Sequence, residues 1–407
     1  MKYILLIGDG MGDTPVPELG YQTPLEAAHK PTIDRLCALA EPLLVRTVPE
    51  GYPPGSDVAN LSLLGYEPEK YYTGRAPLEA ASMGIDIPEN ALAFRCNLVT
   101  VDYQEDNRLT MLDYSAGHIS TAEAAELIAA VQEECGTERL ALYPGVSYRH
   151  LLIHHGAVPE SLHTVPPHDY MDQEVTEFYR QYLAADYLAE LMRKSAAVLA
   201  DHPVNRKRQA EGKRPANSIW IWGEGKKPAM NLLQERHNIS GSLISAVDLL
   251  KGLGVCSGLE VLEVEGATGY LDTNYQGKAE AALDALTGKD FVLVHVEAPD
   301  EAGHQGAVQD KVHAIEDFDA RIVTPIVDEM DRRGEEYRLV VTMDHYTPLA
   351  RRTHEDWPVP MFLYASRGTG RPSGVSYTEA NIKTIAEYFP NGAAFFSRFI
   401  RQEAQRG

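Results

Sequence analysis

Cysteine is scarce in this chain. The four residues Cys37, Cys96, Cys135 and Cys256 are scattered, with no C-x-x-C spacing. That leaves no basis for a disulfide framework and reads as reduced, partly buried thiols in a cytosolic protein. Long apolar runs are missing too, so no segment approaches the ~20 residues of a membrane-spanning helix. The opening "MKYILLIGDGMGD" has one short apolar run that ends in Gly-Asp-Gly, which reads as a first buried strand and not a signal peptide. Basic residues are few: 37 Lys and Arg stand against 59 Asp and Glu, a net charge of −22. That disfavours nucleic acid and anionic membrane as partners, and a membrane role with them. It leaves room for an anionic small substrate, because a local group of arginines or metal ions overrides the global field. There is no internal repeat, no low-complexity tract and no G-x-S-x-G nucleophile elbow.

What is present is an ordinary soluble composition, 44% apolar and 24% charged, long enough for two or three average domains or for one large α/β domain with an insertion. Three short apolar runs end in acidic or histidine-bearing loops: "YILLIG" before Asp9, "FVLVHVEA" before Asp300, and "YRLVVTM" before Asp344 and His345. Each reads as a doubly buried strand of a parallel sheet. Helical stretches such as Val308–Arg333 fall between them, giving a βαβ rhythm. In such sheets ligands bind beyond the carboxyl ends of the strands. These loops are therefore expected on one edge.

The middle of the chain differs. "ALAFRCNLVTVDY" and "LTMLDYS" alternate like antiparallel strands, and "STAEAAELIAAVQEE" is an amphipathic helix capped by Ser120 or Thr121. The basic, Pro-containing segment Ala200–Ser218 reads as a mobile or substrate-facing connection. The expected organisation is an α/β domain from residues 1–76 and 217–407, interrupted by an inserted α+β domain at 77–216. The chain would rejoin the main sheet near "IWIWGEG".

The loop residues carry the chemistry. Asp9 lies in "GDGMGD", Asp300 and His304 in "APDEAGHQG", Asp344 and His345 in "MDHYTP", and His354 in "RRTHEDWPVP". Carboxylate and imidazole together suit manganese, zinc, cobalt or iron. Asp-x-x-x-His in a first helical turn puts two ligands on one side. Adjacent Asp-His on a regular strand points apart, so that pair would serve two ions, or one ion from a bent loop. Taken singly, an Asp after a strand is usually a cap or turn residue. The grouping at three strand ends is what points to a metal site. Ser56, in "PPGSDVANLS", starts a helical stretch with no histidine near it in sequence.

The stretches "GDGMGD", "TPLEAAHKPTID", "GYPPGSDVANLSLLGYEP", "TGRAPLEAASMGI", "GATGYLDTNYQGKA" and "HVEAPDEAGHQG" resemble the archaeal-type, cofactor-independent phosphoglycerate mutases of the alkaline phosphatase superfamily. The likeness runs over nearly the whole chain. It implies an alkaline-phosphatase-like, mostly parallel sheet flanked by helices, with an inserted cap. It also implies two divalent ions, manganese first, with zinc, cobalt or magnesium as alternatives. One ion would use Asp9, Ser56, Asp344 and His345; the other would use Asp300, His304 and His354. Ser56 would carry the phosphoryl group during interconversion of 3- and 2-phosphoglycerate in a closed, dry site. The cap would supply Arg149, His168, Arg206, Arg208 and Arg214, with Lys226, for the small phosphorylated substrate. Asp169 would orient or deprotonate a glycerate hydroxyl, and Arg75 would reach the site or hold the domain junction. The chain departs from the family pattern at Tyr346, which follows Asp-His, and at Glu355 and Trp357, where substrate fit would change. Bacterial relatives leave a second reading: the same site transferring phosphate to homoserine or another small alcohol, or to water. A regulator that binds metal or anions is a third.

Overall fold

The first apolar run forms strand β1 (Lys2–Gly8), buried on both faces apart from its first residue. In this computed structural model, which describes residues 1–104, 108–159, 162–368 and 371–400, twelve further strands follow. They are β2 (Glu41–Val45), β3 (Ala91–Tyr103), β4 (Leu109–Asp113), β5 (Leu140–Tyr143), β6 (Arg149–His155) and β7 (Ser218–Gly225). After these come β8 (Gly241–Ile244), β9 (Glu260–Val261), β10 (Phe291–Val296), β11 (Tyr337–Thr342), β12 (Val359–Ala365) and β13 (Glu387–Phe389).

β1 pairs in parallel with β10 on one side and β11 on the other, in registers that put Gly8 beside Val296 and Ile7 beside Thr342. The three runs singled out in the sequence are thus the centre of one sheet, and their carboxyl ends finish level. The eight-stranded sheet has the order β13-β2-β12-β11-β1-β10-β8-β9. Only β12 runs against its neighbours. Solid Val/Ile/Leu runs without polar alternation are what a sheet covered on both faces requires. The helical stretch 308–333 is two α-helices, Val308–Phe318 and Thr324–Arg333, joined by a π-turn at Asp319–Val323. The Asp319 carboxylate leaves the helix to accept the N–H of Ile33 at 2.6 Å, and Pro325 supplies no N–H to the ladder.

The chain divides into two compact units, Met1–Tyr72 with Ala229–Gly407, and Thr73–Pro228. The second unit is built on the antiparallel order β4-β3-β6-β5, with β7 on the other edge of β3. One expectation is corrected here. "IWIWGEG" does not rejoin the large sheet; it is β7, paired antiparallel with β3 so that Cys96 faces Ile221 and Leu98 faces Ile219. Its uninterrupted apolar pattern arises because it is buried on both faces inside this smaller core, with Trp220 fully covered. The helix Thr121–Cys135 is capped by Ser120, whose side chain and Glu123 form a reciprocal capping box. The basic segment also differs from expectation. Residues 203–210 are helical, with Pro203 at the start and His202 capping, and Arg208 is drawn into the interior.

Two ionisable side chains, Lys311 and the half-buried Glu379, fix the loops that follow β1 and β11. Lys311 is fully covered and donates to Asp13 Oδ2 (2.9 Å), the Gly12 carbonyl (3.1 Å) and the Thr347 carbonyl (2.8 Å). Glu379 accepts the Asp13 N–H at 3.1 Å and the Thr23 hydroxyl at 2.8 Å. Burial pushes the Glu379 carboxyl up to about 7, with Glu26 adding to the rise while its two donors and its own backbone N–H oppose it.

Removing one partner of a buried pair leaves an uncompensated charge, so Lys311→Met is expected to cost about 3–5 kcal/mol in urea unfolding. An unchanged midpoint would contradict the tie. Between pH 4.5, the ordinary value, and about 7, folded Glu379 keeps a proton that the unfolded chain releases. Its contribution is therefore full at low pH and lost as pH rises through 7, on the order of 3 kcal/mol in total. Glu379→Gln is expected to flatten the stability profile in that window, and parallel profiles for the two proteins would rule this out.

Candidate metal centre

The level strand ends bring the loop residues together. Asp9 directly follows β1, and Asp344 and His345 sit in a bend just after β11. Asp300 and His304 lie on the short helix Ala298–Gln305 after β10. Gly10 takes φ +60, and a side chain there would meet Thr347 Oγ1 at 2.6 Å and Asp300 Oδ1 at 2.7 Å. Only glycine allows the first loop to pass this close to the others. The bend answers the geometric question raised by adjacent Asp-His, because both side chains turn inward and are fully covered.

Around this point the carboxylates and imidazoles converge. His304 Nε2 lies 3.1 Å from Asp300 Oδ2 and 2.9 Å from His354 Nε2, and His354 Nε2 lies 3.5 Å from Asp300 Oδ1. On the other side His345 Nε2 is 3.4 Å from Asp9 Oδ1 and 3.1 Å from Ser56 Oγ. Asp344 Oδ1 accepts the N–H groups of Gly10 (3.2 Å) and His345 (2.9 Å), and its Oδ2 accepts Asn60 Nδ2 at 2.8 Å. Ser56 opens the helix Ser56–Leu63, so the histidine absent from its sequence neighbourhood arrives from residue 345.

Electrostatics divide the acids. Burial, with Asp344 and Asp300 close by, holds the Asp9 carboxyl well above the usual range. Asp300 lies well below it: His304 and His354 outweigh a burial that acts the other way. Burial holds His345 below the usual imidazole value.

This donor set fits divalent cations. Among the described residues, three groups place one ligand atom per residue within 4.8 Å of the others: Asp300 with His304 and His354, Asp9 with Asp344 and His295, and Asp9 with Asp300 and His345. Asp9 Oδ1 is buried with no hydrogen-bond donor, an orphan that a cation would satisfy. Mixed carboxylate and imidazole ligands select borderline transition ions.

Several residues here were not singled out from the sequence. His295, Asn60, Glu297 and Thr347 all touch the ligand residues or their neighbours. Thr347 hydrogen-bonds Asp300 Oδ1 and lies 3.2 Å from His345 Nδ1. A histidine inside the apolar run "FVLVHV" is itself a signal, since only partners buried with it make such a position tolerable. Tyr346 and Trp357 pack edge to face at 5.3 Å, and a side chain on Gly12 would strike the Tyr346 ring at 2.5 Å. The tyrosine fills space beside the first loop.

The remaining site residues expected from the sequence lie in the smaller unit. Arg149 rests over the Tyr148 ring at 5.5 Å. His168 packs on Trp222 (5.3 Å) and Tyr114 (6.0 Å), with Asp169 Oδ1 3.7 Å from its Nε2. Tyr114, Tyr148 and His118 complete this aromatic group and were not foreseen. Arg208 is a correction. Its buried guanidinium donates to the Ala116 carbonyl (2.6 Å), Glu123 (2.8 Å) and the Arg214 carbonyl (3.0 Å), so it braces a loop instead of facing a ligand. Arg214 pairs with Asp113, the last residue of β4, at 3.1 Å. Arg206 is exposed, 3.8 Å from Asp201, and Lys226 is exposed.

Comparison with known proteins identifies the family. Residues 43–205 match the family model described as 2,3-bisphosphoglycerate-independent phosphoglycerate mutase. A protein of Geobacter sulfurreducens named a probable 2,3-bisphosphoglycerate-independent phosphoglycerate mutase is 52% identical over 96% of this chain and 98% of its own length. The mutase of that name from Methanosarcina acetivorans is 50% identical over 93% of this chain and 94% of its own. Among solved structures, a Pyrococcus horikoshii protein superposes with a TM-score of 0.82 at 28% identity, covering 100% of this chain and 99% of that one. The cofactor-independent phosphoglycerate mutase of Thermoplasma acidophilum gives a TM-score of 0.65 at 26% identity, covering 98% of this chain and 99% of that one. The chain belongs to the family of 2,3-bisphosphoglycerate-independent phosphoglycerate mutases.

Proposed function

We propose that this protein interconverts 3-phosphoglycerate and 2-phosphoglycerate, with Ser56 carrying the phosphoryl group between the two hydroxyls. The observation that carries the reading is the place of Ser56 Oγ, 3.1 Å from His345 Nε2 at the edge of the convergent acids and imidazoles. Relatives of about half identity bear the same activity in their names.

Asp9, Asp344, His345 and Ser56 would hold one divalent ion, and Asp300, His304 and His354 a second. Manganese is our first assignment, with zinc, cobalt and magnesium as alternatives. Bound there, such ions lower the pKa of a coordinated hydroxyl and neutralise charge on a phosphoryl group. The chain's own residues do the rest. Ser56 Oγ loses its proton and forms a bond to phosphorus as the bond from phosphorus to the 3-oxygen breaks, and that oxygen takes up a proton to become the 3-hydroxyl; the 2-hydroxyl then loses its proton and bonds phosphorus as the Ser56 ester breaks and Oγ is protonated again. The first-turn N–H groups of the helix Ser56–Leu63 favour the phosphoryl charge. Positioning and charge stabilisation are most of what this transfer requires. In the smaller unit we assign Arg149 and His168 to the substrate's anionic groups, and Asp169 to orienting a glycerate hydroxyl. Arg206, Arg214 and Lys226 remain assigned to attracting the anion. Four free thiols fit a reducing cytoplasm. Among the described residues no helix is long and apolar enough to cross a membrane.

An enolase-coupled assay without 2,3-bisphosphoglycerate tests the reading. Turnover of 3-phosphoglycerate is expected with manganese, zinc or cobalt. Steady release of inorganic phosphate, or product only with another added alcohol, would replace this reading with a phosphatase or an alcohol phosphotransferase. Ser56→Ala is expected to lower kcat by on the order of 10^4–10^6-fold, as for other deleted nucleophiles, while circular dichroism stays unchanged. Retained activity would remove Ser56 from the reaction. Stripping with a chelator should abolish turnover and lower the melting temperature. Restoring manganese at 100 times its Kd should return about 2.7 kcal/mol of stability per independent ion.

A further inference from the structure

His295 lies in the middle of the large sheet, on β10 opposite Ile7 of β1, with no exposed surface. Its Nε2 is 3.4 Å from Asp9 Oδ2 and 3.5 Å from Asp344 Oδ2. Its Nδ1 is 3.3 Å from Glu297 Oε1. Neither nitrogen makes a shorter, directed hydrogen bond, so both face carboxylate oxygens across charge-contact distances.

The ring is backed by a second buried pair. Lys278, fully covered, donates to Glu297 Oε2 at 2.6 Å and to the carbonyl of His295 itself at 2.9 Å. Glu297 Oε1 also accepts Ser245 Oγ (2.8 Å) and the Ala246 N–H (2.6 Å). One lysine thus fixes both the backbone of the histidine and the acid beside its ring.

The consequence is visible at Asp9. Its Oδ2 is turned toward His295, whereas Oδ1 is buried without a donor and lies 3.4 Å from His345 Nε2. Asp344 is also constrained, with Oδ1 held by two backbone N–H groups and Oδ2 between Asn60 and His295.

We infer that His295, braced by Glu297 and Lys278, is a positioning residue that takes the far oxygen of Asp9 and so leaves Oδ1 free to hold a divalent ion beside Ser56. A carboxylate–histidine pair behind a ligand fixes its orientation, and loss of such a partner typically weakens metal affinity about 10–100-fold. The inference rests on the two-ion reading above.

The test is manganese binding by equilibrium dialysis of chelator-stripped, full-length protein. Wild type, His295→Leu, His295→Gln and Glu297→Gln would be compared, each checked by circular dichroism. Wild type should bind two equivalents. His295→Leu should keep one at wild-type affinity and bind the other about 10–100-fold more weakly. Glu297→Gln should move in the same direction by less. His295→Gln offers an N–H to Asp9 and should recover most of the lost affinity. Two equivalents of unchanged affinity in His295→Leu would overturn the inference and leave the two-ion reading intact. Failure of wild type to bind any ion would instead remove the reading beneath it. If His295→Gln is as weak as His295→Leu, or loses more than 100-fold where the leucine variant does not fold, His295 acts as a ligand and not as a positioning residue.

Discussion

Three buried acids, Asp9, Asp300 and Asp344, meet at one end of a largely apolar sheet, and their mutual repulsion is the constraint around which the larger unit is arranged. Like charges this close, out of water, are tolerated only when cations or donors answer them. The chain answers with backbone N–H groups and Asn60 at Asp344, with two histidines and Thr347 at Asp300, and with His295 at Asp9. What is left over, the orphaned oxygen of Asp9, is where positive charge is still wanted. The family resemblance and the physical deficit point to the same chemistry from different directions.

The neighbouring buried pairs belong to the same logic. Lys311 with Asp13 and Lys278 with Glu297 are each fully covered and each also grips a carbonyl next to the site. Buried ion pairs contribute little to net stability against well-packed apolar alternatives. Their value here is geometric, because each holds loops from distant parts of the sequence in one register.

Much of this was legible in the sequence, for identifiable reasons. Doubly buried parallel strands write themselves as solid apolar runs, and ligands gather at their carboxyl ends, so Asp9, Asp300 and Asp344 could be found one loop at a time. His304 was legible from its helical spacing to Asp300. The same rule misled at "IWIWGEG", because a central antiparallel strand covered on both faces has the same pattern. Arg208 misled because a basic segment looks solvent-facing until the partners that bury one guanidinium are known. The imidazole inside "FVLVHV" was a local signal of buried partners, but its role stayed hidden because Asp9, Asp344 and Lys278 reach it from distant parts of the chain.

The central place of β1 carries a cost in time during synthesis. Its hydrogen-bonding neighbours begin at Phe291 and Tyr337. At 5–20 residues per second, roughly 15–60 s pass between translation of β1 and of its first partner strand. For that interval "YILLIG" is an unpaired, wholly apolar ribbon, the kind of segment that associates with other chains. The arrangement that places Asp9 at the heart of the site therefore leaves an apolar strand without its partners until the last third of the chain has been made.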